Sequence, residues 1–295
     1  MEDSWPGRQL PYGPDMGGVG PLFYVAFALL LVLGVVGNLS VVLMTCCHTR
    51  LRTPAGLYVV NVASADLLFC VFGILLDPVS VLLRRWPFGE ALCYACSFSE
   101  NLGVFVHGCT LIVAAARFVA GRLPRPSHIS SLGVWFLGVV VCLPHALFVD
   151  SRALAVHGQC VVKWPSAVRT LEPFVSFATL TASPFLLVTV LYVWLRVSLW
   201  RGAGRSVVRR ASLVHVFWLM ALLLLLCRMP LHVTRCLVAM WTALRASTHL
   251  TVVTLATRAV AAAAVCFTAA FFFDLSAKQL VRKTRNVSAV VANTG

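Results

Sequence analysis

Apolar residues fill seven long stretches of this chain, and polar residues punctuate them. The stretches run near 21–46, 56–83, 93–118, 130–149, 171–197, 212–240 and 248–275. Inside each one the apolar side chains do not alternate with polar ones, which predicts helices rather than strands. Each is long enough to cross a hydrocarbon layer of about 30 Å, which needs roughly 20 residues. No internal repeat interrupts the pattern, so one bundle is expected. The fold class is an all-α membrane protein, a seven-transmembrane helix bundle. Residues 1–20 form its N-terminal tail, 21–275 the helical domain, and 276–295 a short eighth helix and tail.

Composition supports lipid as the solvent. The chain is 60% hydrophobic and only 12% charged. A water-soluble exterior cannot be built from so few polar residues. The lipid bilayer is therefore the first partner. The net charge of +14 is distributed by side. Arg50, Arg52, Arg117, Arg122 and Arg125, the cluster from Arg196 to Arg210, and the tail from Lys278 to Arg285 lie on one side. Arg8, Arg84, Arg85, Arg152, Lys163, Arg169 and Arg245 lie on the other. The richer side is expected in the cytoplasm, with the N-terminus extracellular and the plasma membrane as the location. Short basic clusters flanking helices argue for topology and against nucleic acid. Met1 to Gly20 is polar and rich in Gly and Pro, so no cleavable signal peptide is expected.

Several of the 11 cysteines fall inside the apolar runs, where cysteine acts as a small hydrophobe. Cys93 and Cys160 fall on the oxidising side. A bridge between them would tie the third helix to the loop "HGQCVVKW". Cys96, one turn deeper, is a rival for Cys93.

The landmarks resemble the rhodopsin-like (class A) G-protein-coupled receptors over nearly the whole chain. "GNLSVV" is similar to the family's Gly-Asn-x-x-Val. "NVASADLLF" is similar to its Leu-Ala-x-x-Asp segment, with Asp66 as the acid. Trp86, Cys93, Trp135, Pro184, Tyr192 and Pro230 stand where the family has its landmarks in helices two to six. "CRMPLHVTRCL" and "TLATRAV" resemble the purinergic nucleotide receptors, with His232, Arg235 and Arg258 at matching offsets. Ser97 departs from that branch, which has a basic residue there. Herpesvirus-encoded receptors diverge in a comparable way. The resemblance implies a heterotrimeric G protein as partner, no cofactor and no enzymatic activity. In agreement, the sequence shows no catalytic set, no metal-ligand pair and no phosphate loop.

The family's switches are altered. Its third helix ends Asp/Glu-Arg-Tyr; here it reads Ala116-Arg117-Phe118. Arg117 resembles the switch that faces the G protein, without the adjacent acid, and Tyr192 resembles its partner in the active state. A second reading makes Arg117 a flanking charge only. It lies 24 residues after Cys93, one fewer than in the family, which turns it by about a quarter-turn. A distortion at Gly103 or Gly108 would absorb that slip. Arg228 stands where helix six has tryptophan, and "TAAFF" replaces Asn/Asp-Pro-x-x-Tyr in helix seven. These changes permit unrestrained basal signalling, and they equally permit a receptor-like decoy or modulator that does not signal. A transporter, the different-class alternative, would need inverted repeats and broken helices.

Charges at membrane depth cost about 2.5–3.5 kcal/mol each, so each needs a reason. The family's acid helps to bind sodium. Here an Asp66–His107 pair is expected in its place, against a neutral histidine bonded to a carbonyl. Arg228, His232 and Arg235 follow at i, i+4 and i+7 on one helix face. Glu100 is the expected counter-charge of Arg228. His232, Arg235 and Arg258 then remain for a small anionic ligand such as a nucleotide, phospholipid or carboxylate. Against this, Arg235 would snorkel and Arg258 would pair with Asp77 or Glu172.

Overall fold

The computed structural model describes residues 17–48, 51–83, 85–121, 127–158, 160–201, 205–240 and 250–271. Seven helices in it are long and apolar enough to cross a membrane. They are α1 (Gly20–Cys47), α2 (Pro54–Leu83), α3 (Gly89–Ala120), α4 (Ser127–Leu147), α5 (Glu172–Trp200), α6 (Arg205–Met240) and α7 (Leu250–Phe271). The seven-helix bundle expected from the apolar pattern is what forms. The expected eighth helix and most of the N-terminal tail lie outside the described residues.

The centre of the bundle is α3. Its neighbours are α2, α4, α5 and α6, and it carries fifteen buried residues. Two glycines let those neighbours in close. A Cβ on Gly103 would sit 2.9 Å from the Ala65 carbonyl oxygen of α2, and one on Gly108 would sit 2.6 Å from the Pro184 ring of α5. Neither glycine distorts the helix, because α3 runs unbroken from Gly89 to Ala120. The expected absorption of the Arg117 slip is therefore not seen; the glycines serve helix packing. The helix ends at Gly121, whose φ of 65° lies in the left-handed region.

Widened turns appear elsewhere and have a common cause. The backbone is π-helical over Cys70–Leu76 of α2 and over Ala178–Ala182 of α5. Pro78 and Pro184 follow these segments. A proline ring clashes with the carbonyl four residues back, here that of Ile74 or Leu180, and the helix opens there.

Buried polar residues link neighbouring helices. Asn38 of α1 donates to the Val265 carbonyl of α7 at 3.1 Å. Trp135 of α4 donates to Asn61 of α2 at 2.9 Å, and Asn61 donates to Thr110 of α3 at 2.6 Å. Leu29, Val36, Leu132, Phe136, Leu186 and Val190 face outward. Such apolar exteriors suit hydrocarbon, in which the backbone satisfies itself through helical hydrogen bonds.

Candidate functional site

Polar side chains inside the bundle fall into three levels between the disulfide end and the Arg117 end.

At the disulfide end, Cys93 on the first turns of α3 is bonded to Cys160. Cys96 remains a free buried thiol and donates to the Phe72 carbonyl at 3.3 Å. The loop after α4 folds back so that Val149 and Val162 pair as an isolated antiparallel bridge. The Trp86 indole donates to the Gly89 carbonyl at 2.7 Å and packs in the cluster that holds the disulfide.

Below this cap lies a level of ionic side chains between the helices. Glu100 of α3 meets Arg235 of α6 at 3.1 Å. The expected Glu100–Arg228 pair does not form. Arg235 stands about 10 Å further along α6 than Arg228, at 1.5 Å per residue, and on this geometry it is the arginine within reach of Glu100. Arg258 of α7 pairs with Asp77 of α2. Glu172 of α5 accepts from Ser176 at 2.6 Å and lies 3.5 Å from His145 of α4. His232 is hydrogen-bonded to Thr181 at 3.0 Å, across the widened turn of α5. Ser97 contributes its carbonyl to the Asn101 amide. The sequence reading weighed Glu172 only against Arg258 and missed His145 and Thr181 altogether. The signal for Thr181 lay in Pro184, which opens α5 at that depth.

The middle level holds the most buried charges. Asp66 Oδ1 and His107 Nδ1 are 2.7 Å apart, and both side chains are 4% exposed. Arg228, also 4% exposed, lays its guanidinium over the Phe69 ring at 4.5 Å. That contact replaces the expected bond to Glu100 with an attraction to the ring face. Asp66, His107 and Arg228 line one narrow cleft between α2, α3, α6 and α7, too tight to admit a water molecule. Three polar atoms around it make no hydrogen bond: Asp66 Oδ2, His107 Nε2 and Arg228 Nε. Two basic side chains next to one acid leave the cleft unsuited to a metal cation. Among the described residues no three His, Cys, Asp or Glu side chains converge as metal ligands.

Toward the other end, Arg117 is half-buried while its neighbour Phe118 is buried and stacks on Phe217 of α6 at 5.8 Å. The inward position of this turn thus belongs to Phe118, as the shortened spacing from Cys93 requires. Tyr192 of α5 packs against both His215 at 5.4 Å and Trp218 at 5.2 Å, which also contact each other at 5.9 Å. Trp218 donates to Thr189 at 3.0 Å, which fixes the stack against α5. Sequence reasoning missed this group, although His215 and Trp218 share a face of α6 at i, i+3. The Arg210 side chain lies against Gly121 where α3 ends.

The comparisons with known proteins agree with this architecture. The family model for the 7 transmembrane receptor (rhodopsin family) matches residues 37–268. Somatostatin receptor type 4 of Rattus norvegicus is 28% identical over 242 residues, covering 76% of this chain and 62% of that receptor. The substance-K receptor of Canis lupus familiaris is 28% identical over 208 residues, or 66% and 54% of the two chains. Neuropeptides B/W receptor type 1 of Bos taurus is 32% identical over 177 residues, or 55% and 51%. The chain thus spans less than two thirds of the length of these relatives. They lend no support to a purinergic branch or to a viral origin. The matched family consists of receptors and not enzymes, and with its model aligned to most of the chain, this protein belongs to the rhodopsin family of seven-transmembrane receptors.

Proposed function

We propose that the chain is a plasma-membrane, G-protein-coupled receptor with altered activation motifs, whose ligand presents an anionic group to Arg228. The observation that carries this reading is the state of Arg228: buried, lining the middle cleft, and without a hydrogen bond at Nε. A guanidinium in that condition has unmet donors that match a carboxylate. Arg235 and Arg258 are already held by Glu100 and Asp77. One carboxylate therefore suits the site better than a polyphosphate. Three relatives are named for somatostatin, substance K and neuropeptides, which favours a peptide as the bearer of that group.

The cleft is closed to water, so a carboxylate reaches Arg228 only as α6 moves away from α3. Binding and helix movement become one event, with anion binding stabilising the open arrangement. At the opposite end Ala116 stands where the family has an acid, and Tyr192 is engaged by His215 and Trp218. Those features favour a second reading, a receptor with basal activity or a receptor-like decoy, over a ligand-gated switch of the ordinary kind.

The test uses synthetic peptides, each made as C-terminal acid and C-terminal amide, on cells expressing the full chain with a G-protein activation reporter. The acid of an active peptide should be at least tenfold more potent than its amide, and Arg228→Gln should remove that difference. Equal potency of acid and amide, or an acid preference that survives Arg228→Gln, refutes the ligand reading. Reporter activity equal to that of mock-transfected cells under every peptide favours the decoy.

A further inference from the structure

Helix α1 ends on two adjacent cysteines, Cys46 and Cys47, and both are exposed. Other free cysteines of the bundle behave differently: Cys70, Cys96 and Cys142 are buried. At 28 residues and about 1.5 Å per residue, α1 is about 42 Å long. The hydrocarbon layer is about 30 Å thick. The last turn of α1 therefore emerges among the lipid headgroups.

The direction of the two thiols follows from the faces of the helix. Gly34, Asn38, Val41 and Thr45 are buried against the bundle. Leu29, Val32, Val36, Leu39 and Leu43 are exposed along the other face. Cys46 and Cys47 come three and four residues after Leu43, so they continue that lipid-facing stripe. Just beyond, His48 is exposed, and the Arg52 guanidinium donates to the Cys46 carbonyl. This contact holds a basic group beside the helix end, where anionic headgroups attract it.

We propose that Cys46 and Cys47 form an S-acylation site. Each thiol, as thiolate, attacks the carbonyl of a long-chain fatty acyl-CoA thioester on a membrane acyltransferase. The carbon–sulfur bond to CoA breaks, a protein thioester forms, and the cysteine's proton leaves on the CoA thiol. No oxidant or reductant is required. The acyl chain then runs back into the hydrocarbon beside Leu43 and Leu39, and anchors this end of the helix. The proposal rests on the reading that the end of α1 faces the cytosol, where acyl-CoA is present and thiols stay reduced.

The experiment feeds cells expressing the full chain with an alkyne-tagged palmitate analogue, purifies the protein, and couples a fluorophore to the alkyne. The expected result is a label removed by neutral hydroxylamine and reduced more than tenfold in the Cys46→Ser/Cys47→Ser double variant, whose gel-filtration profile matches the wild type. Loss of the label in one single variant alone assigns the acyl group to that residue. Absence of label on the wild type, or a label retained by the double variant, overturns the proposal. Orientation is read separately: after hydroxylamine, a membrane-impermeant maleimide should label the wild type above the double variant only in permeabilised cells. Such labelling in intact cells overturns the cytosolic reading itself.

Discussion

Removing one member of the Asp66–His107 pair should destabilise the protein far more than removing both. Taking the pair as carboxylate and imidazolium, the gross attraction between unit charges 2.7 Å apart at an effective dielectric of about 20 is about 6 kcal/mol. Desolvating the two groups takes back a large part of this. What remains in the single variants is a buried charge without its partner, at a cost of about 3–5 kcal/mol. His107→Leu and Asp66→Leu should each show that loss. The double variant Asp66→Leu/His107→Leu leaves an apolar contact with only Arg228 short of an acid, and should lose less than either single variant. The singles should also differ. Arg228 lines the same cleft, so it partly offsets the Asp66 charge in His107→Leu. In Asp66→Leu it faces His107 with one acid fewer, and that variant should be the weaker. The assay is fluorescence-detected gel filtration after heating in detergent, where the singles should lose on the order of 10 °C. The wild-type transition should also respond equally to sodium and potassium, because His107 and Arg228 both line the cleft beside Asp66. Single losses that add up in the double variant, or a specific sodium effect abolished by Asp66→Asn, would refute the reasoning.

Other outcomes follow from the two ends of the bundle. Cys93 and Cys160 should react with thiol reagents only after reduction, and Cys93→Ser should cost about 2–5 kcal/mol by the same heating assay; labelling of either thiol in unreduced protein would contradict the bond. Restoring an acid beside Arg117 with Ala116→Asp should lower basal G-protein activation, and Arg117→Ala should abolish it. A genuine basal signal indifferent to both changes would return Arg117 to the role of a flanking charge.

The bundle was legible because lipid imposes one simple demand, a run of about 20 apolar residues per crossing, and the chain meets it seven times. Positions within a helix were legible to the level of a face. Asp66 and His107 were expected together and lie 2.7 Å apart, since both sit at mid-depth on helices that touch through Gly103 and Ala65. Helix boundaries were set less well. The runs near 93–118 and 212–240 extend to Gly89–Ala120 and Arg205–Met240, because polar residues continue a helix past the hydrocarbon once its hydrogen bonds are established.

Partners were the least legible feature, and α6 shows why. Arg228, His232 and Arg235 share one face, but i to i+7 spans about 10 Å of helix axis. A common face therefore meets three different neighbours. At the deepest point Arg228 finds the Phe69 ring of α2. One turn closer to the disulfide end, His232 finds Thr181, which the widened turn before Pro184 offers. Nearer the disulfide end Arg235 finds Glu100. Periodicity specifies the face, whereas depth and the local shape of the opposing helix choose the partner. The same logic distinguishes the three basic groups chemically. Arg235 is 31% exposed and already paired with Glu100. His232 is hydrogen-bonded to Thr181. Arg228 is buried with its Nε unpartnered, so on the proposed reading it is the group on which an entering anion produces the largest change in energy.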